Sequence, residues 1–560
     1  MRAPAGRSVL LGAGAVLILA GVFLPSGVPL LRLGFALEGL LLLAIGLTGV
    51  RWPATAPRDR FELPPPEGEN VRHPISWLCG ITALAAVLRL YRIGSELWLD
   101  EIVTIFTFRD STALEILTVF KASNNHLLNT LSVKAMIAAF GPVEWAVRLP
   151  AVLFGVACIP AIYALARISL GQRESLFAAL LLAVSYHHIF FSQNARGYTG
   201  MLFWSMLGTV YFLKGLTRDR ASDWVIYVGT MLLSVATVLY GFFIIAAHVL
   251  CFAAACAVRL WRKMPCRPLV RRLLLVWGAL ALLCLHLYSG IFTEVEAYVA
   301  TNYTRPSMGY KFLSAEHIRE LVRGFSAGFG NATLVGALAA LSVMGFGFLL
   351  FLRRHTFYAI TLVAPLFTTA GFLLARRLVI VPRSFLWGLP VAWIFTVATA
   401  LSLERWLSSR GALQAPLARA GARALPYLAV AALVALSALA LPAYYRTPKQ
   451  PYRTSLDWLI ANRPAGDPIV AAWLAKHGLR FYAPGTGLTE NRDYFAVDTA
   501  DELQKVESAW SGKTIWLLTT FPRALRLEHP DLDRYIRDHY RARKTFPATI
   551  GDAEVTVLTR

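Results

Sequence analysis

The sequence predicts an all-α polytopic membrane protein carrying a small C-terminal α/β domain, and three observations point there. The chain of 560 residues is 56% apolar and only 16% charged, with a mean hydropathy of +0.54. A soluble chain carries about 25% charge, so most of this one belongs in lipid. Thirteen apolar segments follow one another, each near the ~20 residues a spanning helix needs. Residues 445–560 then break the pattern, with 17 Lys/Arg against 14 Asp/Glu. The composition excludes a disordered chain, a collagen and a disulfide-rich secreted scaffold.

Taken in order, the spans are expected near 8–24, 28–50, 75–93, 145–166, 175–192, 199–215, 224–240, 242–258, 273–291, 331–352, 356–375, 384–402 and 424–444. The start, Arg2 and Arg7 before an apolar run, lacks a small-residue cleavage site and is followed at once by a second span. It reads as an uncleaved helix. Residues 1–50 therefore form an additional N-terminal hairpin. Segment 51–74, with Pro53, Pro57, Pro64, Pro65 and Pro66, reads as a cytoplasmic linker. Residues 75–444 form the main membrane module, with long outward loops at 94–144 and 292–330. In 445–560, Ser455–Asn462 looks helical, Pro464-Ala465-Gly466-Asp467 marks a turn, and Ile469–Trp473, Ile515–Thr519 and Val555–Leu558 read as strands. Glu38, inside the second span, requires a partner on another helix, since Arg32 is six residues away.

Charge sets the orientation. The N-terminus and segments 51–74, 167–174, 214–223, 259–272, 353–355 and 403–423 hold 23 Lys/Arg against 8 Asp/Glu, whereas 94–144 holds 3 against 6. The positive-inside rule puts the first set in the cytoplasm. Loops 94–144, 193–198, 292–330 and 376–383 then face outward with the tail, and the expected location is the cell inner membrane with a periplasmic C-terminal domain. The net charge of +22 is mainly this topology, and a nucleic-acid partner is not expected. The six cysteines show neither CxxC nor zinc spacing, and no structural disulfide is expected.

Polar residues capable of chemistry concentrate in the outward loops. Trp98-Leu99-Asp100-Glu101 places two carboxylates just beyond a span, where they are costly unless solvated, paired or metal-bound. They cannot share one helix face, so one can address a site while the other makes a structural bond. Lys121-Ala122-Ser123-Asn124-Asn125-His126 fits a phosphate or metal contact, or equally an interfacial helix cap. His187, His188, Gln193, Asn194, Arg196 and Tyr198 sit at one outward boundary, where Arg196 needs a phosphate or Asp100 as partner. Arg148 opens the fourth span, with snorkelling as its bland reading. Arg376, Arg377 and Arg383 run against the positive-inside trend and suit an anion such as a lipid phosphate, with ordinary headgroup contact an equal reading for Arg376 and Arg377. Loop 292–330, with Tyr298, Tyr303, Arg305, Tyr310, Lys311 and His317, could cover an outward cavity.

In this order the clusters resemble the C-superfamily (GT-C) of membrane glycosyltransferases, and within it the bacterial protein mannosyltransferase-like and aminoarabinose transferase-like group. The resemblance rests on Trp98 through Glu101, on Asn125-His126-Leu127-Leu128, and on Trp145 through Pro150. It continues in Ser192-Gln193 with Arg196 and Tyr198, and in Arg383 to Pro390. It covers about residues 75 to 400. The chain departs from the family at Leu127, where Pro is usual, and at Ser384-Phe385, where Tyr is usual.

The resemblance implies transfer of a sugar from a polyprenyl-phosphate donor to a lipid, glycan or protein acceptor on the periplasmic face, with inversion. It implies Asp100 as general base, with Glu101 orienting the loop or a metal. Lys121, His126, Arg196 and Arg383 would bind the donor phosphate, and Trp98, Asn125, Gln193, Tyr198, His188 and Arg148 the substrates. A divalent cation, Mg2+ or Mn2+, is the candidate cofactor at Asp100 or Glu101. The competing readings are a polytopic transporter, which would favour inverted repeats and midplane charges, and a non-catalytic lipid- or glycan-binding protein.

Overall fold

The computed structural model describes residues 4–24, 29–48, 60–122, 125–292, 294–295, 297, 312–327, 333–409 and 416–560. Twelve of the thirteen apolar segments each overlap one α-helix, from Pro4–Phe23 to Pro416–Arg446, and the remaining one, 175–192, is shared between two. Among the described residues, five helices are long and apolar enough on their own to cross a membrane: Glu144–Ala166, Gly241–Trp261, Arg267–Tyr288, Thr356–Ala375 and Ala420–Arg446. A sixth candidate is bent. Gln172–Val184 and Tyr186–Ser192 meet at 59°, where a single continuous span was expected.

The bend has a physical cause. Ser185 leaves the helical region (ψ 121°), freeing the carbonyls of the last turn. The buried Arg89 guanidinium takes them over, donating from Nη1 to Ala183 O at 2.9 Å and from Nη2 to Leu182 O at 3.3 Å. Polar backbone at membrane depth must be satisfied inside the protein, and Arg89 does that here. It also reaches Ser192 Oγ and His188 Nδ1.

The N-terminal hairpin closes through a reciprocal glycine contact. A Cβ on Gly14 would lie 2.7 Å from Gly39 O, and one on Gly39 would lie 2.6 Å from Gly14 O. Only glycine permits that approach of two helices. The hairpin docks on helix Arg267–Tyr288, where Glu38 finds its partner in His286 at 2.9 Å.

Segment 60–73 is not a free linker. Glu67 N donates to Ser169 O and Gly171 N donates to Glu67 O. The Glu67 carboxylate is held by Arg354 and Arg405, and Glu69 pairs with Arg173 at 2.9 Å. Residues 51–59 lie outside the described residues, as do Tyr298, Tyr303, Arg305, Tyr310 and Lys311 of loop 292–330. His317 is described, and its Nε2 meets Ile380 O at 2.7 Å.

Loop 94–144 contains three helices, Leu99–Phe108, Ala113–Thr118 and Leu127–Phe140. The C-terminal sheet has the order β2-β1-β3-β5-β4, with β1 Ile469–Ala472, β2 Tyr494–Val497, β3 Trp516–Thr520, β4 Arg541–Phe546 and β5 Val555–Thr559. β1 runs parallel to β2 and β3, while β5 is antiparallel to β3 and β4. The sheet does not stand apart from loop 94–144. Leu97, Ile102 and Ile105 share one buried cluster with Tyr452, Leu456, Leu479 and Trp516.

Candidate functional site

Helix Leu99–Phe108 presents Asp100 and Glu101 in its first turn, where the exposed N–H groups favour carboxylates. Their fates differ. Glu101 is wholly buried. Arg148 grips it with two bonds, Nε to Oε1 at 2.8 Å and Nη2 to Oε2 at 2.7 Å. Ala195 N donates to Oε1 at 2.7 Å, and Trp98 N to Oε2 at 3.2 Å. Burial alone would raise this carboxyl, but the Arg148 guanidinium overrides it and holds Glu101 below the usual carboxylate range. Glu101 thus orients the loop, and its oxygens are already committed in a way that leaves no open face for a metal.

Arg148 is correspondingly neither a snorkelling nor a substrate-facing residue. It is fully buried, and its Nη1 and Nη2 also donate to Ile93 O, Ser95 O and Glu96 O. One guanidinium thereby gathers the whole turn that leads to Asp100.

Asp100 keeps 22% of its side chain exposed and faces Arg196, whose Nη1 lies 3.5 Å from Oδ2. Arg196 is nearly buried. Its Nε has no hydrogen-bond partner among the described residues, and Nη1 meets Asp100 at ion-pair distance without hydrogen-bond geometry. Nη2 approaches His126 Nε2 at 3.2 Å. Gly197 N already donates to His126 Nδ1 at 3.1 Å. A neutral imidazole has one lone pair to offer, so these two donors cannot both be satisfied by it. The imidazole is neutral: burial first, then the charges of Arg196 and Arg383, push it well below its ordinary value. Arg383 is therefore within electrostatic reach of the same spot. Ser384, the next residue, meets Tyr240 Oη at 2.9 Å.

The site thus has one partly open carboxylate facing Arg196, whose Nε and Nη1 have no hydrogen-bond partner among the described residues, with His126 beside it and the charge of Arg383 within reach. Helix Gly241–Trp261 begins beside Tyr240 at this site and ends where Arg259 donates to Arg60 O. Its 21 residues span about 30 Å at the α-helical rise. The site and the Arg-rich turn 259–272 therefore lie at opposite ends of the bundle.

Other expected residues play different parts. Trp98 locks the two site loops together, donating from Nε1 to Asn194 Oδ1 at 3.1 Å. Gln193 is buried and spent: Nε2 donates to Arg89 O and Tyr91 O, and Oε1 accepts from Tyr444. His188 is fully buried against Arg89. Lys121 turns to Ser111 Oγ at 2.9 Å and Glu115 at 3.8 Å, and Asn125 donates to Ile116 O. None of these contacts reaches the Asp100–Arg196 pair. Ser123 and Asn124 lie outside the described residues. Tyr198 does line the site, its ring edge-on to His126 at 5.4 Å and its Oη 3.5 Å from Arg196 Nη2. No cluster of three or more metal-ligating side chains occurs among the described residues.

Sequence reasoning missed Arg89, which sits in the last turn of helix Pro74–Leu90, and Lys449 and Gln450, which follow the last span. A buried cation flanked by apolar residues was the available signal for the first. The second had none, because its contacts are nearly 260 and 350 residues distant.

A family model described as dolichyl-phosphate-mannose-protein mannosyltransferase matches residues 130–289. No curated protein matches the chain in sequence. Among solved structures the chain is similar to ArnT from Cupriavidus metallidurans in the apo state, with a TM-score of 0.52 and 15% identity, over 87% of this chain and 98% of that one. ArnT bound to undecaprenyl phosphate gives 0.46 and 15%, over 86% and 98%. The apo oligosaccharyltransferase of Archaeoglobus fulgidus gives 0.49 and 13%, over 84% and 73%. The apo ArnT likeness is one of fold, and the family model marks residues 130–289 as similar to the dolichyl-phosphate-mannose-protein mannosyltransferases. The matched segment includes Arg148, Arg196 and Tyr198 but begins downstream of Asp100 and His126.

Proposed function

We propose that this protein transfers a sugar from a polyprenyl-phosphate donor to a hydroxyl acceptor at the periplasmic face of the inner membrane, with Asp100 as general base. One observation carries the reading: the only partly open carboxylate of the 98–101 turn faces Arg196, whose guanidinium retains unpaired donors. A sugar phosphate between them would satisfy both sides.

In this scheme Asp100 accepts the acceptor hydroxyl proton as the oxygen attacks the anomeric carbon. The bond from that carbon to the lipid-phosphate oxygen breaks, and the electron pair leaves on the phosphate. Arg196, Arg383 and the Nε2–H of His126 stabilise the growing charge from positions fixed beforehand. A single base on one face of the sugar gives inversion. The undecaprenyl phosphate bound by ArnT is the class of carrier lipid in question. The basic turn 259–272 at the far end of the bundle supports outward placement.

Replacing Asp100 by Asn keeps the shape and removes the base. Transfer by purified Asp100→Asn protein, followed by mass spectrometry of lipid and glycan products, is expected to fall by about 10²–10⁴-fold, with the melting temperature unchanged. Transfer at the wild-type rate would overturn the assignment.

A further inference from the structure

The residues joining the last membrane helix to the C-terminal domain contact both halves of the site. Lys449 Nζ donates to Phe190 O at 3.1 Å and to Gln193 O, at the end of the short helix that leads to Arg196. Burial drives its ammonium well below the ordinary lysine value, against the pull of Glu101, and a neutral amine still has the two N–H bonds these carbonyls need. Gln450, wholly buried, accepts from Leu99 N at 2.9 Å through Oε1, the residue before Asp100. Its Nε2 donates to Thr520 Oγ1 at 2.8 Å, at the end of β3.

Two neighbouring contacts repeat the theme. Tyr482 Oη accepts from Leu97 N at 2.8 Å. Glu96 accepts from Arg453 N and Thr454 N, capping helix Tyr452–Asn462. Residues 96, 97 and 99 are thus each held by the C-terminal domain.

We infer that Lys449-Gln450 is a positioning staple through which the C-terminal sheet sets the placement of Asp100 relative to Arg196. The inference rests on the transferase reading for its consequence, but not for its geometry. Leu99 N is an N–H that an α-helix leaves unpaired in its first turn. Gln450 supplies its acceptor and is itself pinned by Thr520. Without that pin, the amide rotates and the first turn carrying Asp100 loses its anchor. Gln450 and Thr520 touch no reacting atom, so both are positioning residues.

The test uses the full chain in lipid nanodiscs, with amide hydrogen exchange of residues 96–101 measured without substrate and transfer kinetics measured alongside. Thr520→Val removes the pin and keeps the volume, whereas Thr520→Ser restores the hydroxyl. Gln450→Asn, too short to span both partners, is read if Thr520→Val fails to fold. Thr520→Val is expected to speed exchange at Leu99 and to lower kcat about tenfold while donor KM stays within about twofold, the mark of a geometry lost only at the transition state. Thr520→Ser is expected to restore both. Unchanged exchange overturns the staple whatever the activity. Faster exchange with unchanged kcat overturns its positioning role. Faster exchange in a protein whose wild type transfers no sugar supports the staple and sinks the transferase reading instead.

Discussion

At the scale of single residues, Asp100 and Glu101 show how adjacent identical chemistry is divided by its surroundings. Glu101 is enclosed with Arg148, and Asp100 is left partly open beside Arg196. Removing one partner of a buried pair leaves the other charge uncompensated. Arg148→Ala should therefore cost about 3–5 kcal/mol, read as a loss of thermal stability in detergent, with faster proteolysis of loop 94–101. His126 gives a prediction in pH. Its folded value lies well below the ordinary 6.5, so as pH falls below 6.5 the unfolded chain takes up the proton first. The contribution of His126 to stability is complete above 6.5 and drains away below it. Melting temperature should fall between pH 6.5 and 5, and His126→Gln should flatten that slope.

At the scale of elements, the site depends on the broken span 172–192 and on what holds it. The break at Ser185 turns the chain so that residues 193–198 return over helix Leu99–Phe108, and Arg89 satisfies the carbonyls it frees. Helix Glu144–Ala166 packs on the short arm so closely that a Cβ on Gly155 would lie 2.2 Å from Ser192 Oγ. Gly155→Val is expected to push the arm away, at a cost of about 1–3 kcal/mol from overpacking. Because the arm carries Arg196, transfer should fall by more than the lost folded fraction, which single-turnover assays normalised to folded protein will measure.

At the scale of the whole molecule, two attachments frame the membrane module. The N-terminal hairpin is joined by Glu38 and His286, both nearly buried. His286→Leu leaves a carboxylate unpaired and should lower the melting temperature, whereas the double change Glu38→Leu with His286→Leu should recover most of the loss. The C-terminal domain is joined to loop 94–144 by a shared apolar cluster as well as by Gln450 and Glu96. The sequence shows β1, β3 and β5 as apolar runs but conceals two strands. β4 reads Arg541-Ala542-Arg543-Lys544-Thr545-Phe546 and is exposed along most of its length. Such charge on an edge strand blocks pairing with other chains and removes the apolar alternation that marks a strand. β2, Tyr494–Val497, is four residues long like β1, and its register is fixed only by pairing with that strand.

Within the site, the sequence exposed residue types but not their partners. Apolar run length alone placed the helices, because lipid admits one dominant backbone solution for a stretch of that length. The asymmetry of basic residues similarly distinguished the two ends of the bundle, and Asp100, His126 and Arg196, crowded in separate loops of the sequence, meet at the end away from the basic turn 259–272. Which carboxylate is enclosed, and that Gln193, His188 and Arg148 are spent on the scaffold, depended on contacts between segments tens to hundreds of residues apart. Hydrogen bonds and ion pairs are decided within a few ångströms, and a linear order of residues carries no such distances until the chain is packed.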